Sequence, residues 1–405
     1  MSAVATAYPE LAALEASGDV PELIAQVRAA VVAEPARAVG DAVVNSWLSR
    51  RWTALAIQRA ALDDAAVELA RGRDAQLDPH EAIARRFVLP VLGGAPWREL
   101  PPADRQTLSS TTLVLCPGLL GALMPMSAFA STGPLLESEF GVRVLVADCH
   151  PAASCEANAR DILRAVTRGE GFAVDGSELR PGAVPPGDIV LVGYSKGMPD
   201  ALTMLAEHPE VAPRIKAIVS WAGAAGGSYL ADATAPLLGD VDVDAFLHGT
   251  GGRVLRRLVP AAEFARITRR EDEFDISGAV GDLRTGVRRE FLDQHRGLFD
   301  DLGVPFLSVA GAVRARDVPY FQALSVLRLA RRERVNDMQL TQSQTRVPAA
   351  ASAHLGTLRA DHWDMAYDAF PRQLRLGSRH LSHPLPRTAV LGATLALLAE
   401  VGLIQ

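Results

Sequence analysis

Residues 188–192, an apolar run of strand length, lead directly into Gly193-Tyr194-Ser195-Lys196-Gly197, and helical spacing then continues to His208. A strand that turns sharply into a helix between two glycines restricts the fold more than any other feature of this chain. Small residues two before and two after the serine let the backbone bend without clash. The serine hydroxyl is left exposed at the start of a helix, whose N-terminal dipole favours a developing anion. Ser195 is therefore the candidate nucleophile.

The surrounding chain repeats the same texture. Strand-length runs TTLVLC, VRVLVAD, DIVLVGY, KAIVSWA, VPFLSVA and HLGTLRA follow one another from Thr111 onward, with helical spacing in CEANARDILRAVTR and KGMPDALTMLAEH between them. Apolar runs alternating with helices predict an α/β fold, a mostly parallel, doubly wound sheet covered on both faces. Residues 1–108 read differently. LAALEAS, VPELIAQVRAAVVAE and WTALAIQRAALDDAAVELARGR place apolar residues three and four apart, which predicts an N-terminal helical extension packed on the catalytic domain or on a second subunit. Residues 109–405 are expected to form that catalytic domain. Within it, about 228–301 form a polar, Arg-rich helical insertion after KAIVSWA, read as a lid or cap above the carboxyl ends of the strands, where such sheets bind ligands.

Composition excludes several classes. A net charge of -6 carries no nucleic-acid footprint. Cys116, Cys149 and Cys155 are too few and too irregularly spaced for a disulfide framework or a zinc knuckle, which favours a reducing compartment. The start of the chain lacks the basic and apolar regions of a secretory signal, so a cytoplasmic location is expected. Residues 388–404 are apolar but short and contain Glu400, which fits a packed terminal helix and no integral membrane segment. The GTGGR run at 249–253 lacks the lysine and hydroxyl of a phosphate loop and reads as a turn. No metal or organic cofactor is implied.

A serine nucleophile needs a base, an acid and two donors for the negative oxygen of its tetrahedral intermediate. The amide of Lys196 and that of Leu119, in Cys116-Pro117-Gly118-Leu119-Leu120-Gly121 after the first core strand, are the candidate donors. His362, in Asp361-His362-Trp363-Asp364 after the last strand, is the candidate base. His150 follows an earlier strand and is also a candidate for the site's surroundings, whereas His380 and His383 read as surface or turn residues. Two aspartates follow VPFLSVA, and position alone favours Asp317 over Asp337 as the acid. The Lys196 side chain has two readings: a cation that favours an acidic substrate or strengthens the field on the oxyanion, or a partner for Asp200 one turn along the helix.

In this order the motifs resemble bacterial true lipases and esterases of the α/β-hydrolase superfamily over about 111–368. Pro117-Gly118-Leu119-Leu120-Gly121 is similar to the lipase oxyanion loop, 193–197 to the nucleophile elbow, and WAGAAGGSYLAD at 221–232 to the stretch after the next strand. Asp282-Leu283-Arg284-Thr285 with Phe291 is similar to the segment flanking the lid. Asn336-Asp337 with Ser343, and then Asp361-His362-Trp363-Asp364, are similar to the family's acid and base elements. The resemblance implies the α/β-hydrolase fold and makes Asp337 the acid, with Asp317 the alternative. Pro117 stands where lipases carry histidine, Met338 where glycine follows the acid, and Ala224-Ala225 where they carry Pro-His.

The expected chemistry is hydrolysis of a small-molecule acyl ester or thioester through an acyl-enzyme. Acyl transfer or cyclisation by the same three residues is the enzymatic alternative, and a binding protein that keeps the fold without chemistry is the non-enzymatic one. Acyl chain and leaving group stay open, as does assembly into a homo-oligomer.

Overall fold

The computed structural model describes residues 6–405 except 90–93, 120–123, 125, 239–269 and 376. All six strand-length runs form strands of one sheet. These are β1 (Thr111–Cys116), β2 (Arg143–Val146), β5 (Asp188–Ser195), β6 (Ile215–Gly223), β7 (Phe306–Gly311) and β8 (Ser352–Leu358), and they pair in parallel. Two strands of two residues each, β3 (Gly171–Phe172) and β4 (Glu178–Leu179), pair antiparallel at one edge. The order is β4-β3-β2-β1-β5-β6-β7-β8, so the expected mostly parallel sheet is present.

Alternation along β5 divides the core into two. Val190, Val192 and Tyr194 belong to one apolar cluster, Ile189 and Leu191 to the other, as the two-residue period of a strand covered on both faces requires. The second cluster is filled by helices α9 (Cys155–Arg168) and α10 (Gly197–Glu207), which follow β2 and β5. Ser154 caps the first of these, its side chain accepting from the Ala157 amide, and Gly169 ends it at φ 70°.

The first cluster draws on both ends of the chain. Six helices occupy residues 9–87: α1 (Pro9–Ser17), α2 (Val20–Ala33), α3 (Pro35–Gly40), α4 (Ala42–Ala60), α5 (Asp64–Arg71) and α6 (Pro79–Phe87); the short α7 (Pro96–Glu99) precedes β1 and α8 (Thr132–Phe140) follows it. The helical stretch read from Trp52 to Arg73 is two helices, because Asp63 caps α5 by accepting the amides of Ala65 and Ala66. Helix α4 lies against β8 and against the helix Arg387–Glu400. Its Ser49 hydroxyl donates to the Leu355 carbonyl (2.9 Å), its Trp52 Nε1 to Thr394 Oγ1 (3.0 Å), and its wholly buried Arg51 forks onto both carboxylate oxygens of Glu400 (2.6 Å each). Beyond α6, Val88 bridges Leu358 and the Leu89 amide donates to the Thr357 carbonyl, so this segment covers the β8 edge.

Between β6 and β7 the described parts of the insertion are α11 (Tyr229–Leu238) and two helices, Ile276–Gly281 and Thr285–Asp301. Asp232 joins them by accepting from the Thr285 amide (2.8 Å) and hydroxyl (2.7 Å). The middle of the expected cap, 239–269, and the GTGGR run within it lie outside the described residues. Among the described residues no helix is long and apolar enough to cross a membrane.

Candidate active site

Ser195 ends β5 at φ 52°, in the left-handed region that costs a side-chain-bearing residue about 1–2 kcal/mol. Close packing imposes the turn. A Cβ on Gly193 would stand 2.6 Å from Met198 Cα, and one on Gly197 would overlap the Cys116 carbonyl. Register brings the first loop alongside, since Cys116 pairs with Gly193. A Cβ on Gly118 would lie 2.7 Å from Ser195 Cβ and 3.2 Å from its Oγ, so the chain leading to Leu119 passes beside the hydroxyl. Leu120 and Gly121 of that loop lie outside the described residues.

The candidate base and the candidate acid come from the loops after β8 and β7. His362 Nδ1 lies 2.8 Å from Asp337 Oδ2, and the His362 amide donates to the Asp337 carbonyl (2.9 Å). The other carboxylate oxygen accepts from the amides of Gln339 (2.9 Å) and Leu340 (2.7 Å). Both oxygens of Asp337 are thus engaged, and the imidazole is held with Nδ1 toward the acid. His362 Nε2 is buried and has no hydrogen-bond partner among the described residues. Asp317 sits elsewhere, 44% exposed and paired with Arg314 at 2.9 Å.

Tyr194 links the candidate nucleophile to the candidate base, a contact not read from the sequence. Its ring stacks on the His362 imidazole (centroids 5.0 Å, 27° between planes), and its hydroxyl donates to the His362 carbonyl (2.9 Å). The only available signal was alternation: if the residue before the serine points into the core, it faces whatever loop crosses the strand end. Met338, standing where lipases carry glycine, has φ 78°. It is wholly buried with Val318 and Val326, and burying a Met side chain contributes about 1.5–3 kcal/mol, enough to offset the backbone cost.

The Lys196 side chain is turned away from solvent, 1% exposed, with Nζ 2.6 Å from Asp200 Oδ1. Asp200 also accepts from Asn158 Nδ2 (2.9 Å). Burial opposes the charge on Lys196, but the Asp200 carboxylate outweighs it and holds the ammonium protonated. The second reading of this residue therefore applies, and no substrate-facing cation follows. His150 is buried behind the same helix, its amide donating to Asn158 Oδ1 (2.8 Å). His383, expected at the surface or in a turn, follows the short 3-10 helix Arg379–Ser382 at φ 41° and is buried, its Nδ1 2.8 Å from the Asp368 carbonyl oxygen. The three cysteines are free and buried. Beside the serine, Leu119 packs on a small apolar cluster of Ala224, Ala231, Val280, Leu283 and Leu340, and the Ala224 amide donates to the Ser195 carbonyl (2.8 Å).

No protein-family model matches the chain, and no curated protein does. Among solved structures, it is similar to the metagenomic carboxyl esterase MGS0156, with 22% identity over 84% of this chain and 91% of that one, at a TM-score of 0.59. The mature form of the Bacillus licheniformis lipase BlEst2 also matches, with 19% identity over 65% and 89% of the two chains and a TM-score of 0.42. At the first of these similarities the likeness is one of fold.

Proposed function

We propose that this chain, which has the α/β-hydrolase fold, is a serine-dependent carboxylic ester hydrolase. What carries the reading is His362: its Nδ1 is held by Asp337, its Nε2 is left without a partner, and it stacks on the residue that precedes Ser195. In this mechanism His362 takes the proton from Ser195 Oγ as the hydroxyl attacks the ester carbonyl. Asp337 holds the ring and stabilises the imidazolium. The amides of Leu119 and Lys196 receive the negative oxygen. The protonated base then gives its proton to the leaving alcohol, and water cleaves the acyl-enzyme by the same route in reverse. Leu119 and its apolar neighbours fit the acyl chain. Residues about 228–301 would serve as the cap, and residues 1–108 as the helical extension.

The test is turnover of p-nitrophenyl butyrate together with labelling by a fluorophosphonate probe. Wild type should do both, and Ser195→Ala should lose labelling and at least roughly 10⁴-fold in kcat with little change in Tm. A wild-type protein inert in both assays would end the proposal.

A further inference from the structure

A cavity of about 570 Å³ lies behind the loops that carry Asp337 and His362. Neither Ser195, Lys196 nor Leu119 lines it. Its walls come from four separate parts of the chain: the end of α6, the loop after β7, the loop after β8, and the segment 379–384. Five arginines line it. Arg314 is taken by Asp317, but Arg86, Arg334, Arg359 and Arg379 form no ion pair among the described residues. Of the other carboxyl groups in the wall, Asp364 lies near enough to Arg86 to feel its charge. Asp364 is held by the Leu385 amide and Arg387, and Asp361 accepts the Asp364 amide. Both are buried.

Five arginines against three aspartates around one concavity are unexpected in a chain whose net charge is -6. All five arginines are exposed, and guanidinium groups cannot shed their charge at physiological pH, so the cavity presents an excess of positive charge to whatever enters it. Arginine forks match the geometry of carboxylate and phosphate oxygens, and the volume falls within the range of small-molecule sites. Leu89, Val313 and Val335 provide apolar wall beside the arginines. We infer that this cavity binds a multiply charged oxyanion, either a phosphate ester or a polycarboxylate, at a site separate from the one that holds the ester.

Pyrophosphate and citrate are the probes, titrated calorimetrically into the full chain in low-salt buffer and compared with chloride at matched ionic strength. At least one should bind saturably at one site per chain. Pyrophosphate alone would identify the phosphate class and citrate alone the polycarboxylate class. The double variant Arg334→Gln/Arg359→Gln should weaken that binding about tenfold or more, the loss expected from removing charge-assisted hydrogen bonds. Absence of saturable binding by either probe overturns the inference, and so does equal binding by the double variant. Fluorophosphonate labelling of the same samples reports on Ser195 independently, so a protein that labels but binds no anion fails here alone.

Discussion

Asp337 and Asp317 both follow β7, and only their surroundings separate them. Asp337 is 1% exposed and its two oxygens meet His362 and two backbone amides, whereas Asp317 reaches solvent beside Arg314. Under the proposed mechanism, Asp337→Ala should lower kcat by roughly 10⁴-fold, and Asp317→Ala should change it no more than severalfold. The reverse ranking, measured on one ester, would reassign the acid. A different histidine contributes to the pH dependence of stability. His354 lies between Ser308 Oγ (3.0 Å), Gln342 Nε2 (2.9 Å) and Thr357 Oγ1 (3.0 Å), and burial, with Arg346 adding to it, pushes its imidazole down to about 3. The unfolded chain takes up this proton below about 6.5 while the folded one does not, so stability is full above that value and falls as the pH drops toward 3. The slope is about 1.4 kcal/mol per pH unit. Wild type should therefore lose more Tm than His354→Gln between pH 7 and pH 5, and parallel losses would count against the assignment.

At the scale of elements, the contact between α4 and β8 is set by one missing side chain. A Cβ on Gly356 would overlap Cζ3 of Trp52. Gly356→Ala should cost about 1–3 kcal/mol through overpacking, read as a lowered Tm, and Trp52→Phe in the same chain should recover part of it through their coupling. Additive losses would mean that the two residues do not press on each other. The elements that were legible in the sequence are those with a strong local signal. The six long strands announce themselves as apolar runs, and α9 coincides with the helical stretch 155–168. Strands β3 and β4 were not legible, because two residues carry no period and only the Asp175-Gly176 turn marks them. For the site, the strand–turn–helix pattern singles out Ser195 from local sequence alone. The choice between two aspartates does not follow from position, which favours the exposed one, and needed the order of motifs shared with lipases. Tyr194 and the Lys196–Asp200 pair were beyond reach or open, since which neighbour a side chain meets depends on strand crossings that no local pattern records.

The whole molecule is closed by contacts between its two ends. Arg51 grips Glu400, Trp52 bonds Thr394, and the Thr111 hydroxyl donates to the carbonyl of Gln405 (3.0 Å). A helical periodicity near each terminus predicts an apolar stripe but not that one stripe covers the other. The arrangement has a cost during biosynthesis. Helix α4 leaves the ribosome with Trp47 and Trp52 unburied, and the partner it needs is made 349 positions after Arg51. At a translation rate of about 5–20 residues per second that wait lasts tens of seconds. Throughout it the nascent polypeptide presents a sticky aromatic surface, so its yield in a cell should depend on holdase chaperones that shield the first helices until translation has delivered the last.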